Sequence, residues 1–240
     1  MHHIRIHTRS IAARRRAVLA MLGCWLALAA PAWGLPGGED AAARLLERLE
    51  TDMAAGRFDE AMATAEALQP AALEGPDRAR AHQMIGFLHA RRGDYATALA
   101  NYAWSLEHPE LLPAGLEGRL RYTVAQLEFA LGRFEAALDQ LEAWQALGSP
   151  DAGFGPYILM GQAYFKVRDY ADAIRSLEAG VALARAEGAV VREDWLTLLH
   201  HLYVEQQRWG EAVGVLERLA DLYPSDRYQA MLASAKARRG

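Results

Sequence analysis

The fold class predicted for this 240-residue chain is all-α, an array of about five helical hairpins closed by a C-terminal helix. Three observations predict it. Leu, Ala, Glu and Arg dominate the composition while β-branched residues are sparse, the balance that favours helices. One local signature recurs five times, an aromatic followed three residues later by alanine: Phe58/Ala61, Tyr95/Ala98, Phe134/Ala137, Tyr170/Ala173 and Trp209/Ala212. Successive aromatics stand 37, 39, 36 and 39 residues apart, and a self-similar period of that size marks stacked supersecondary units. Helix breakers cluster between the units, at Pro70 to Pro76, Pro109 to Pro113, Ser149 to Pro156 and Glu187-Gly188.

Residues 1–34 read as a leader. Arg14-Arg15-Arg16 precede an apolar run from Ala17 to Ala30, and Ala32-Trp33-Gly34 form a small-x-small exit. That order of charged, apolar and small residues predicts a secretory signal cleaved before Leu35, with a periplasmic mature protein. The run falls short of the roughly 20 residues of a membrane span. An uncleaved anchor, and a lipidated Cys24 in the partial lipobox Leu22-Gly23-Cys24, are the alternatives. Of 26 basic residues, five arginines belong to the leader, which has no acid; 21 basic and 30 acidic residues remain, a net charge of −9. The only cysteine leaves with the leader, which excludes disulfides and a thiol nucleophile in the cleaved form. The acidic balance argues against nucleic acid, which needs a basic footprint.

After the leader, the units are expected at about 39–70, 76–108, 114–148, 154–187 and 192–224, with a cap over 225–240. Each reads as helix, tight turn, helix. In the fourth, Tyr157 to Phe165 form one helix, and the second runs from Tyr170 through Leu177 and Gly180 to about Ala186. Small Gly161 and Ala173 let the two backbones approach, while Tyr157, Met160, Tyr164, Tyr170 and Leu177 fill the space around them. Enlarging either small residue would overpack the pair, at about 1–3 kcal/mol. Gly-Asp or Gly-Arg pairs supply the turn and cap the next helix. After Pro224, Ser225-Asp226 can cap a last helix, Arg227 to Arg239, covering the apolar end of the array.

This arrangement resembles the tetratricopeptide repeat (TPR). The match rests on Tyr157, Gly161, Tyr164, Tyr170, Ala173 and Gly180 in the fourth unit, on Ile85, Gly86, Tyr95, Ala98 and Tyr102 in the second, and on Leu199, Tyr203, Ala212, Leu216 and Pro224 in the fifth. The resemblance implies a right-handed solenoid used for protein binding. Leu49 and His200 stand where the family prefers a small residue, and the third unit has Glu128 where tyrosine is usual. The stretch Glu193-Asp194-Trp195-Leu196 through Leu222-Tyr223-Pro224 to Tyr228 and Leu232 also looks like repeat proteins of TonB-type energy-transduction systems. Those are periplasmic partners of an inner-membrane energy complex, so membrane-complex proteins become possible partners.

In the TPR fold the first helices of successive units line a concave groove. Helical spacing from the turn aromatics then places Arg80, Gln83, Phe87 and Arg91 there from the second unit, and Arg119, Tyr122, Gln126 and Phe129 from the third. The fourth contributes Ile158, Gln162, Phe165 and Lys166, and the fifth Asp194, Thr197, His201 and Glu205. Basic and amide groups interleaved with aromatics on an acidic protein fit a peptide or protein segment with acidic residues, since guanidinium forks grip carboxylates and aromatic faces supply desolvated contact area. The alternative is that Phe87, Phe129 and Phe165 pack between neighbouring helices and the arginines are solvated surface. His200-His201 is a poor metal site, because adjacent helical residues point about 100° apart. His82 and His89 share a face, and both pairs read as buried or hydrogen-bonded histidines. No nucleotide loop, nucleophile elbow or metalloprotease helix is present, so neither an enzyme nor a cofactor is expected. The function predicted is an exported scaffold binding a segment of another envelope protein. The alternative is a structural subunit of an outer-membrane or cell-wall assembly, which an exposed apolar edge at either end would favour.

Overall fold

The computed structural model describes residues 41–148 and 153–237. Among them are eleven α-helices and no strand: α1 (Ala41–Ala54), α2 (Phe58–Ala67), α3 (Gly75–Arg92), α4 (Tyr95–Leu106), α5 (Leu116–Leu131), α6 (Phe134–Ala146), α7 (Gly155–Lys166), α8 (Tyr170–Ala186), α9 (Glu193–Glu205), α10 (Trp209–Leu222) and α11 (Asp226–Ala237). Short 3-10 turns at Pro70–Ala72 and Pro109–Leu111 occupy the first two breaks. The leader, Cys24, the Leu35 terminus and residues 149–152 of the third break lie outside the described residues. The architecture is the all-α array of helical hairpins that the repeat phase predicts.

The chain divides into two compact units, one ending at Leu131 and one beginning at Gly132, each with its own core. In the first, α1 pairs with α2 and α3 with α4, and α5 packs on α4. In the second, α6 packs on α7, α7 pairs with α8 and α9 with α10, and α11 lies against α10. The cap is held by Tyr228, which is buried and whose hydroxyl donates to the Glu193 carboxylate, and by Lys236 paired with Glu217 at 2.8 Å. Beside it the Tyr223 hydroxyl donates to the Val191 carbonyl at 2.6 Å.

Four hairpin turns share one hydrogen-bond scheme. The N–H two residues before Phe58, Tyr95, Tyr170 and Trp209 donates three residues back, and the next N–H donates five residues back. Gly93 N–H reaches the Ala90 carbonyl at 3.1 Å and Asp94 N–H that of His89 at 2.9 Å; Gly56 and Arg57, Arg168 and Asp169, and Gln207 and Arg208 repeat the pair. This Schellman closure needs a left-handed residue just past the helix end, a place that suits glycine. Gly56 and Gly93 supply it with φ of 70° and 83°, but Arg168 and Gln207 adopt φ of 68° and 56° without glycine's freedom; Gly132, before Phe134, is also left-handed at 80°. The second residue of the pair opens the next helix. Asp94 and Asp169 cap it, accepting from the N–H of Thr97 and Asp172, whereas Arg57, Arg133 and Arg208 make no side-chain cap. Arg57 instead forks onto Asp52 with bonds of 3.0 and 2.7 Å.

Close approach of paired helices is visible at three glycines. A Cβ on Gly161 would stand 2.5 Å from Leu177 Cγ and 3.1 Å from the Ala173 carbonyl oxygen, as the small-residue reading of this pair requires. Across the same pair, a Cβ on Gly180 would meet Ile158 at 2.7 Å. Ile158 is thereby buried, and not on an open concave face as expected from spacing. In the first unit Gly86 is covered by the Tyr102 ring, 2.7 Å from a Cβ there. Tyr102 is fully buried and its hydroxyl has no partner among the described residues. Of the three departures from the repeat pattern, Leu49 is fully buried in the first core, Glu128 is half-buried on α5 and His200 is half-buried in the second unit.

Candidate protein-binding surfaces

On α3 the predicted stripe divides. Gln83 and Phe87 are both 5 % exposed, so they belong to the interior; Phe87 packs against Phe58 with ring centres 6.1 Å apart. Arg80 is bridged to Glu50 at 2.9 Å and to Asp77, so its charge is already answered. Burial pushes the Glu50 carboxyl up against the opposing pull of Arg80. Only Arg91 keeps the predicted character. It is exposed and stacks over the Phe58 ring at 3.8 Å, within cation–π range.

On α5 Arg119 is exposed, with no carboxylate in ion-pair distance among the described residues, while Tyr122, Gln126 and Phe129 are half-buried. Tyr122 and Phe129 have partners of their own. The other arginine of the helix, Arg121, is neutralised by Glu117 at 2.7 Å. The helix thus carries one satisfied and one unanswered guanidinium.

In the second unit α7 carries Gln162 and Phe165, half-buried, and exposed Lys166. Phe165 stacks on Tyr170 at 6.1 Å and meets His201 edge-on at 5.8 Å. The Lys166 ammonium lies 5.8 Å from the Phe165 ring centre and 6.0 Å from that of Phe134. The neighbouring Tyr164 hydroxyl donates to Glu142 at 2.7 Å, and burial with this carboxylate pushes its pKa up to about 12.

The histidines behave as hydrogen-bonded or packed groups. His82 Nδ1 meets Asn101 Oδ1 at 2.9 Å and His89 Nδ1 meets Asp94 at 3.0 Å. Burial, then the neighbouring His201, lowers the His200 pKa. Among the described residues no three His, Cys, Asp or Glu side chains gather around a common point. One cluster was missed by the sequence reading. Trp104 stacks on both His82, at 4.2 Å, and His108, at 4.1 Å, with the Arg78 guanidinium 4.7 Å from its ring centre. Burial lowers the His82 pKa, opposed by the Asn101 bond and aided by Arg78 and His108. The available signal was helical spacing, Arg78 to His82 and Trp104 to His108, each one turn apart.

No family model and no curated protein matches this chain. Solved structures do resemble it. MamA from Desulfovibrio magneticus RS-1, residues 41 to its end, aligns with 79 % of this chain and 99 % of its own at 19 % identity, with a TM-score of 0.59. A second MamA crystal structure aligns with 75 % of this chain and 91 % of its own at 15 % identity and a TM-score of 0.60. The apo form of RapI aligns with 80 % of this chain but 56 % of its own length, at 14 % identity and a TM-score of 0.59. At these identities the likeness shows the fold, a TPR-like helical repeat.

Proposed function

We propose that this protein is an exported, non-catalytic scaffold that binds an acidic segment of another cell-envelope protein through the first helices of its hairpins. The observation that carries the reading is a charge pattern. On a chain with more acidic than basic residues, Arg91 and Arg119 are exposed on α3 and α5 of the first unit, and Lys166 on α7 of the second, each with no carboxylate in ion-pair distance among the described residues. Arg91 and Lys166 also lie over aromatic rings. Cations left unanswered beside aromatic faces suit carboxylates of a partner. The C-terminal resemblance makes a TonB-type transport complex the first partner to test. The structural-subunit alternative gains little from the exposed apolar residues of the last hairpin. Trp209 and Leu222 sit at opposite ends of α10, about 20 Å apart along the helix, so they do not form one apolar edge.

The test is cross-linking capture from envelope fractions, followed by affinity measurement on the captured partner. Tyr122→Ala is expected to weaken binding about thirtyfold, the loss of one aromatic anchor worth about 2 kcal/mol. Arg119→Glu should weaken it more at low salt than at high salt. Two folded variants that bind like wild type would move the site elsewhere. Amino-terminal sequencing of the envelope form tests export, and a chain beginning at lipid-modified Cys24 would contradict cleavage before Leu35.

A further inference from the structure

The second unit holds a recess of about 210 Å³ away from the α7 residues above, lined by Glu178, Val181, Ala182 and Arg185 of α8, Leu199 of α9 and Arg218 of α10. The four α8 residues fall on one stripe because their spacing is that of successive helical turns. Val181 and Leu199 are 2 % and 1 % exposed and form an apolar floor. Arg185 is exposed and Arg218 half-buried, and neither has a carboxylate in ion-pair distance among the described residues. Arg218 spends one N–H on the Gly214 carbonyl at 3.5 Å, which leaves the rest of its fork to serve another acceptor. The one acid of the recess, Glu178, accepts from the Tyr203 hydroxyl and keeps its charge, so two guanidinium groups face a single carboxylate and the lining stays net positive.

Size and polarity then select the ligand. Pockets for drug-sized molecules or cofactors run about 300–1,000 Å³, so this recess takes one residue and not a cofactor. Its apolar end is the floor, and its positive charge stands nearer solvent. A glutamate or aspartate side chain entering tip first would drive its carboxylate onto Val181 and Leu199, where an unpaired charge is strongly disfavoured. A C-terminal aliphatic residue fits the polarity in the right order, with its side chain on the floor and its main-chain carboxylate at the rim. We propose that this recess binds the aliphatic C-terminal residue of a peptide, with its carboxylate held by Arg185 and Arg218. The site is separate from the proposed groove and does not depend on it.

Methyl NMR on the whole folded protein tests this with three small probes. N-acetyl-leucine should shift the Val181 and Leu199 methyl resonances in a saturable way. N-acetyl-leucinamide, which lacks only the carboxylate, should bind at least tenfold more weakly, and so should N-acetyl-glutamic acid α-amide, whose carboxylate is at the tip. The double variant Arg185→Gln, Arg218→Gln should lower the affinity for N-acetyl-leucine to that of the amide. Tyr122→Ala should leave it unchanged, which separates this site from the groove. Equal binding of acid and amide, stronger binding of the glutamic acid probe, or no movement of the two methyl groups would each overturn the proposal; these comparisons need only the wild-type protein.

Discussion

The two units close their hairpins with the same hydrogen bonds but different residues. In the turns inside the first unit Gly56 and Gly93 hold the left-handed position; in those inside the second Arg168 and Gln207 do, while Gly132 stands at the boundary. The units also differ in how paired helices meet. The α3–α4 pair has one contact glycine, Gly86 under the Tyr102 ring, whereas α7–α8 is pinched twice, at Gly161 against Leu177 and at Gly180 against Ile158. The second unit thus tolerates backbone strain at its turns and concentrates its close packing in one hairpin. The lesson is that this turn is dictated by the docking of the two helices, with glycine lowering its cost without being required.

Substitutions at the contact glycines test that contrast most strongly. Gly161→Ala should destabilise the protein by about 3 kcal/mol, the upper end for overpacking, because its new methyl meets both Leu177 and a main-chain oxygen that cannot rotate away. Gly86→Ala should cost less, about 2 kcal/mol, since only a side-chain ring must shift. Urea unfolding measures both, and equal losses would erase the distinction. Next in size is Tyr102→Phe. Its buried hydroxyl has no partner among the described residues, so removing it should stabilise the first unit by about 1 kcal/mol; a loss of stability would reveal a bond to that oxygen.

Turn chemistry comes third. Gln207→Gly should stabilise the second unit by about 0.5–1 kcal/mol, the relief of a non-glycine residue at positive φ, while Gly93→Ala in the first should destabilise by about 1 kcal/mol. Thermal melts of the pair should move in opposite directions. The smallest effect is a pH dependence. His82 in the first unit and His200 in the second both have folded pKa values below the ordinary 6.5. The unfolded chain therefore takes up the proton first as pH falls. Their contribution is intact above the ordinary value and is lost as pH drops through the folded one. With both rings half-exposed, each loss should stay under about 1 kcal/mol. His82→Gln should flatten the first unit's share of the stability difference between about pH 7.5 and 5.5, and His200→Gln the second's; unchanged slopes would show that other groups carry it.

Much of the fold was legible because its determinants are local and periodic. The turn aromatics fix the helix starts at Phe58, Tyr95, Phe134, Tyr170 and Trp209, and Gly161 with Ala173 announced the close pair. The left-handed state of Arg168 and Gln207 was not legible as such, since nothing in either residue type asks for it. The stripe on α3 was readable only in part. Spacing locates Gln83 and Phe87 on the expected helix, but depth is set by neighbouring helices, which a single-helix projection does not contain. Arg80 shows the same limit for charge: its partner Glu50 lies on another helix, far back in the chain. The α8–α10 recess was invisible for a related reason, being a gap left between side chains of three helices.

The short turn joining each helix to its partner also bears on how fast the molecule assembles. The two are linked without a long loop, so the entropy lost on bringing them together is small and their contacts are close in sequence. Chains dominated by such short-range contacts reach the folded state quickly, on the microsecond to millisecond scale for helical domains. The same locality lets a hairpin open and close again while its neighbours in the unit stay folded. Amide exchange should then reveal a ladder of protection, deepest at the pinched α7–α8 pair and shallowest at α11, which buries a single residue.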